Sequence, residues 1–526
     1  MTVLTKYSPC RKAPIILSGT LQRSLITFFL LILYNGILSA QTTGDYRSVA
    51  PGSWSALSVW ERYDGAVWAT PTAGQGYPGQ YSVPDRIDIY TDVTLDLSPP
   101  ADINDLYINS GIFELSLYDL SIQGDLYNYS ILNDNNGAGT LFLYGDVYID
   151  AAASWSAVTD NSQMIRLYGN IINNSTSVTL ERCRLYSDIT ISGYGEFVIE
   201  DYLEYDGSYS LTNQSAVTIN FHINYNATAG AVFINDEGSV LNYLGAADLL
   251  NNGTLVASAE NNTVNYGGGA QDVVIPAGSD YYNLDISGNG TKALEGSINI
   301  DGDLVIGSGT LLDVTTSDYS ISIEGDWTNN NAVNGFTERS GTVTFNGNTD
   351  QTVTRTDGET FHNIVVNKPA GEIIINSGDI TASNSLSMIS GDINTGSRRV
   401  IISSNAPASI SHTSGTINGR LQRAVSNTSA DYLFPVGSAD FYRPAAFNFS
   451  TLSSAVDITA EFIDSSPGAF SSYNDGGFIL NNIFTDGYWS FVSSSVPANN
   501  YTLELTGNGF TSYAVNSDTR ISGRTD

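Results

Sequence analysis

The chain has 526 residues, of which 41% are hydrophobic, 11% aromatic and only 14% charged. Its 54 acids against 21 lysines and arginines give a formal charge of −33, which argues against nucleic acid as a partner, because phosphate binding draws on Lys and Arg. Scarce charge also argues against long surface helices, which draw on Glu, Lys and Arg, and favours strands and turns.

Residues 1–40 read as an export signal. Lys6, Arg11, Lys12 and Arg23 precede the apolar run Phe28-Phe29-Leu30-Leu31-Ile32-Leu33, and Ser39-Ala40-Gln41 offers a cut after Ala40. Asn35 and Gly36 interrupt the run, which is too short to span a bilayer. No later stretch approaches a span, so none is expected after cleavage. Losing four cations and no acid takes the charge from −33 to −37, which suits a secreted, soluble protein. Cys10 leaves with the signal, and Cys183 remains as a small packed residue.

Residues 41–85 hold Tyr46, Trp54, Trp60, Tyr63, Trp68, Tyr77 and Tyr81. They read as the N-terminal cap of a repeat array, whose open end must be covered. Trp54, Trp60 and Trp68 are alternatively a sugar-stacking platform, the mark of a carbohydrate-binding module.

From Ile87-Asp88-Ile89 the apolar residues alternate, and a seven-residue pattern, apolar-x-apolar-x-Gly-Asp/Asn-apolar, recurs. It reads Leu120–Leu126, Leu141–Val147, Ile165–Ile171, Ile298–Leu304 and Ile321–Trp327, with a partial copy at Ile189–Gly193. Gly124, Gly145, Gly169 and Gly193 are spaced 21, 24 and 24 apart. A fixed period in the low twenties signals a solenoid. Alternation turns one face of a strand inward, Gly supplies freedom for a corner, and Asp or Asn bonds to its own neighbouring backbone. Stacking would set Asp125 and Asp146 about 4.8 Å apart. Either each acid caps its own turn and splays into solvent, or a cation such as calcium bridges them.

A longer repeat runs through 262–341 and 342–420. Thr263-Val264-Asn265-Tyr266 is echoed by Thr342-Val343-Thr344-Phe345, Gln271-Asp272-Val273 by Gln351-Thr352-Val353, and Tyr281-Tyr282-Asn283-Leu284-Asp285-Ile286 by Phe361-His362-Asn363-Ile364-Val365-Val366. The offset of 79 to 80 residues corresponds to between three and four coils. These motifs resemble the repeat of large secreted surface proteins of Bacteroidota. The resemblance covers roughly 260 to 500 and includes Ile417-Asn418-Gly419-Arg420-Leu421-Gln422-Arg423, Phe434-Pro435-Val436-Gly437 and Tyr442-Arg443-Pro444. It implies an adhesin-like parallel β-helix exported by the type IX pathway. It also implies a C-terminal sorting domain, and none is legible up to Asp526. Residues 426–526 change character: Pro435, Pro444, Pro467 and Pro497 interrupt alternating runs, as in an antiparallel sandwich.

Chemistry is sparse. Glu200-Asp201-Tyr202-Leu203-Glu204-Tyr205-Asp206 joins four acids to two tyrosines, a combination suited to sugars; its plain alternative is a solvated coil edge. His222, His362 and His412 are too scattered for a metal cluster or triad. Asn133-Asp134-Asn135-Asn136-Gly137 lacks the closing Glu of an EF-hand. Gly267–Val274 is a single imperfect match to a calcium-binding nonapeptide that works only in tandem.

The expectation is therefore an all-β chain. A right-handed parallel β-helix over 86–425, of roughly 15 coils and about 70 Å, lies between the cap and a sandwich-like module. The expected role is non-enzymatic: a secreted or outer-surface adhesion or structural protein contacting polysaccharide or matrix. No catalytic, cofactor or metal residue is assigned, and calcium is the one cofactor considered. The alternative is a polysaccharide lyase or glycoside hydrolase, which would gather carboxylates with Lys or Arg on one face.

Overall fold

A computed structural model describes residues 41–134, 139–157, 164–332, 334–426 and 430–523. The signal read at 1–40, and Asn135, Asn136 and Gly137 of the acidic turn, lie outside the described residues. Parallel strands wind into a β-solenoid of about 16 turns.

Each turn has three faces. The first carries Arg86–Ile89, Asp105–Ile108, Leu126–Asn128, Val147–Ile149 and their successors. The second carries Ile112–Leu115, Ile131–Asp134 and Ser154–Ala157, the third Leu120–Ile122, Thr140–Leu143 and Met164–Leu167. Strands repeat a buried–half-buried alternation, so the inward residues of successive coils form one continuous core. Ile87, Leu106, Leu126, Val147 and Ile171 are one such column.

The Gly-Asp corner works differently from the expectation. Gly124, Gly145, Gly169, Gly302 and Gly325 are not among the residues with positive φ. A Cβ at Gly145 would overlap the carbonyl oxygen of Gly124, one at Gly169 that of Gly145, and one at Gly325 that of Gly302. Glycine is needed there because the coils touch backbone to backbone. The acid is likewise neither splayed into solvent nor capping its own turn. Asp105 Oδ1 accepts from the Asp125 N–H (2.9 Å), Asp125 from Asp146 (2.8 Å) and Asp146 from Asn170 (2.8 Å). Asn170 Oδ1 accepts in turn from the Thr190 N–H. The same staircase runs through Asn283, Asp303, Asp326 and Thr352. Each acid caps the corner amide of the next coil, where a negative charge makes the stronger kind of hydrogen bond.

A second set of links lies inside. Asn128, Asn173, Asn213 and Asn235 are fully buried. Asn213 Nδ2 donates to Val240 O and to Asn235 Oδ1, and Asn235 Nδ2 to Thr263 O, tying each coil to the next.

The long repeat spans eleven strands. Thr263–Tyr266 belongs to the second face, where it pairs with Asn283–Ile286. Thr342–Phe345 belongs to the first, where it pairs with Ile321–Ile323. One repeat therefore advances three and two-thirds coils, and equivalent motifs land on adjacent faces. Its glutamines staple a turn from within: Gln351 donates to Ile323 O and Gly325 O and accepts from the Gly347 N–H, as Gln271 does around Gly268. A buried lysine from the following coil closes each turn. Lys368 Nζ donates to Gly347 O, Thr349 O and Gln351 Oε1, and Lys292 Nζ to Gly268 O, Gly269 O and Asn289 O.

At the N-terminal end, Tyr46–Ser48 pairs in parallel with Arg86–Ile89 and antiparallel with Trp60–Tyr63, which pairs with Trp68–Ala69. Trp54 and Trp60 are wholly buried, with ring centroids 5.0 Å apart, and Trp68 lies under the Arg47 guanidinium. These tryptophans form no exposed, coplanar platform for sugar, and the stacking reading fails for Trp54 and Trp60.

At the other end, Ile417–Asn418 continues the second face and Arg420–Arg423 the third, and Leu421–Val425 then receives Val456–Ile463 antiparallel on its far edge, followed by Tyr488–Ser493. Asp431–Phe434, Ala445–Leu452 and Asn499–Leu505 form a separate antiparallel sheet. Two buried arginines from the C-terminal motifs fasten this region. Arg423 donates to Leu433 O (2.6 Å), Ala406 O (3.1 Å) and Pro407 O (3.0 Å). Arg443 reaches Asn508 O and Asp464 among the rings of Phe441, Phe462 and Phe510.

Two outcomes follow from these links. Asp146→Ala removes the acceptor for the Asn170 amide, and a lost charge-assisted bond of this kind costs roughly 1.5–3 kcal/mol. Urea denaturation should show that loss, and Asp146→Asn, which keeps an acceptor, should recover much of it. The second concerns pH. Burial raises the pKa of Tyr205, Tyr243, Tyr266 and Tyr281 above the usual 10. Their contribution is complete below pH 10 and is lost as pH rises further. Burial pushes Lys368 down to about 8, so between pH 8 and 10.5 the unfolded chain binds more protons at this residue and stability rises with pH. Wild-type stability relative to Lys368→Met should therefore grow from pH 8 to 10. Above pH 10, loss of the far-ultraviolet dichroism should coincide with tyrosinate absorbance.

Candidate functional site

The run of acids at Glu200–Asp206 lies on strand Glu196–Tyr205 and its end, where the second face turns into the third. The register slips between Leu180 and Arg182 in the coil below. The slip buries Glu181 and places Glu200 and Asp201 at the corner above it. Glu200 accepts from Asn220 Nδ2, and Asp201 accepts from Arg182 Nε at 2.8 Å. Arg184 Nη2 lies 2.8 Å from Asp206, and its Nε 3.3 Å from Glu204. Leu203 and Tyr205 are core residues, and Tyr205 directs its hydroxyl to Val232 O.

Rings surround these pairs. Tyr144, Tyr168 and Tyr186 stack over three coils at 4.3 and 4.8 Å. Tyr202 stacks on Tyr225 at 4.6 Å, and the Arg182 guanidinium lies 4.7 Å from the Tyr202 ring. Arg166 lies over Phe142, and pairs in register with Arg184. His222 meets Phe221 and Tyr225 edge-on, and burial lowers its pKa. The acids of the run were legible in the sequence, whereas Arg166, Arg182 and Arg184 were missed. Their signal was the coil period, which carries Arg182 to Tyr202 and Arg184 to Glu204, 20 residues on in each case.

This face presents tyrosine edges and arginine donors spaced by the rise of a coil. Asp201, Glu204 and Asp206 each lie against an arginine, whereas Glu200 has Asn220 as its partner. The remaining histidines are far apart in the fold: His362 meets Ser383, and His412 stacks on Tyr442. Cys183 is buried among apolar side chains, which pushes its thiol pKa up.

Two acidic groupings lie elsewhere. Asp248, Asp272 and Glu295, all exposed, bring carboxylate oxygens within 4.8 Å of one another, as exposed acidic groups commonly do without a bound ion. Partial desolvation and the two neighbouring aspartates raise the pKa of Glu295. On the first face, Asp280, Asn299, Asp301, Ser322, Glu324 and Asn346 line a polar groove of about 230 Å³. Neither grouping stood out in the sequence, because its members come from different coils.

No family model, curated protein or solved structure matches this chain. No described helix is long and apolar enough to cross a membrane.

If the arginines balance rather than activate the acids, Arg184→Gln should lower stability by about 1 kcal/mol or less, since half-exposed ion pairs contribute little. High salt should narrow the difference between wild type and variant in urea denaturation.

Proposed function

We propose that this chain is an exported, non-enzymatic β-solenoid that serves as a structural or adhesive rod on the outer cell surface. One observation carries the reading: its carboxylates are distributed along the turns as caps for backbone amides. The Asp105–Asp125–Asp146 staircase and its counterpart at Asp303 and Asp326 place acids where coil stacking needs them. The likeness of the long repeat to secreted surface proteins of Bacteroidota supports export. The partner in this reading is an extracellular polysaccharide or a matrix component, and no cofactor is required.

The second reading, a polysaccharide lyase or glycoside hydrolase, draws on the convergence of Arg182 and Arg184 with Asp201, Glu204 and Asp206 on one face. Binding to a panel of neutral and acidic polysaccharides, with and without calcium, separates the two. The adhesive rod is expected to be retained on a polymer without releasing reducing or unsaturated ends. Product formation that disappears in Glu204→Gln would overturn it in favour of the enzyme. Retention on no polymer would remove the adhesive part of the reading and leave a spacer.

A further inference from the structure

The two ends of the fold treat their strand edges differently. At the N-terminal end the first-face sheet finishes in the two-residue strand Trp68–Ala69, beside the Arg47–Glu61 ion pair and Arg62. Short, charged edges are what natural sheets use to discourage pairing with another chain. At the C-terminal end Asn499–Leu505 is seven residues long and carries one charge, Glu504. Among the described residues it pairs with Ala445–Leu452 alone, which leaves its outer edge open.

Exposed apolar residues are frequent in the C-terminal segment that includes this strand. Of 24 exposed large hydrophobic residues, nine lie between Tyr473 and Ile521, about a tenth of the chain. Val496, three residues before this strand, is 92% exposed. Tyr501 leans on Phe447 and Phe449 with nearly half its surface uncovered, and Leu503 and Leu505 are only partly covered. A seven-residue edge strand with one charge and partly exposed Tyr501, Leu503 and Leu505 is a template for a further strand.

We propose that the strand is supplied by a second copy of this chain, pairing antiparallel through Asn499–Leu505. The sequence is complementary to itself about Thr502. A two-fold axis there sets Tyr501 opposite the partner's Leu503 and Glu504 opposite the partner's Asn500. Aromatic–aliphatic pairs across strands are favourable, and like charges directly opposite are not. No like charges face each other in this register, although the chain as a whole carries −33. A closed two-fold interface also buries the same patch on both copies. The product is two solenoids joined at their C-terminal ends, and the inference stands whether or not the rod binds polysaccharide.

Sedimentation equilibrium of the purified protein over a range of concentrations tests this. The wild type is expected at twice the chain mass. Thr502→Lys, which sets two ammonium groups face to face on the axis, is expected to weaken association at least tenfold with an unchanged dichroism spectrum. Thr502→Cys is expected to give a disulfide-linked dimer in air, and a cysteine at exposed Ser317 on the rod is not. A wild type that stays monomeric throughout overturns the proposal. So does a dimer that survives Thr502→Lys and does not cross-link through Thr502→Cys.

Discussion

The constraint on which the fold depends is the backbone amide at each corner. A solenoid turn must leave the strand ladder three times per coil, and every departure frees N–H groups that need partners. This chain meets the need from the coil below. A carboxylate at one corner accepts from the corner amide of the next, so the bond that closes a turn also sets the stacking of its neighbour. The same arrangement explains the glycine beside the acid, since the carbonyl beneath leaves no room for a Cβ.

That division of labour accounts for the unusual composition. A protein this acidic would be expected to strain under its own charge, yet each acid of the staircase is held against an N–H dipole of the adjacent coil. Buried asparagines do similar work inside, bonding coil to coil through side-chain amides that carry no net charge. The two buried lysines serve the long repeat in the same way, each gathering the carbonyls of one turn. Outside, tyrosines stack at the coil spacing and cover the sheet edge-on. Polar and aromatic residues at one repeat distance thus replace the large surface charge that other folds use.

The ends follow a different logic from the middle. A coil inside the rod has neighbours on both sides, whereas an end coil exposes ladder groups and core together. The N-terminal end fills the opening with Trp54 and Trp60 and finishes on the two-residue strand Trp68–Ala69 beside the Arg47–Glu61 ion pair. The C-terminal end turns antiparallel, laying Val456–Ile463 along the last coil and fastening the join with Arg423 and Arg443. Those arginines belong to motifs conspicuous in the sequence, and their role is to hold backbone carbonyls, aromatic rings and a carboxylate in place.

The sequence by itself determined the class of fold, because alternation and a period in the low twenties leave few alternatives for burying an apolar face. It determined that glycine and an acid share each corner, but the partner of the acid lies about 21 residues away, a distance at which only stacking brings groups together. It also placed the long repeat between three and four coils. That equivalent motifs fall on adjacent faces was decided by the three-sided turn, since eleven strands do not divide evenly into coils. The acids of Glu200–Asp206 were visible as a cluster. Their arginines were not, because Arg182 and Arg184 join them only through the parallel register of two neighbouring coils. Tertiary structure likewise decided that Trp54 and Trp60 are core: composition reveals three tryptophans close in sequence, and only packing shows which way their rings face.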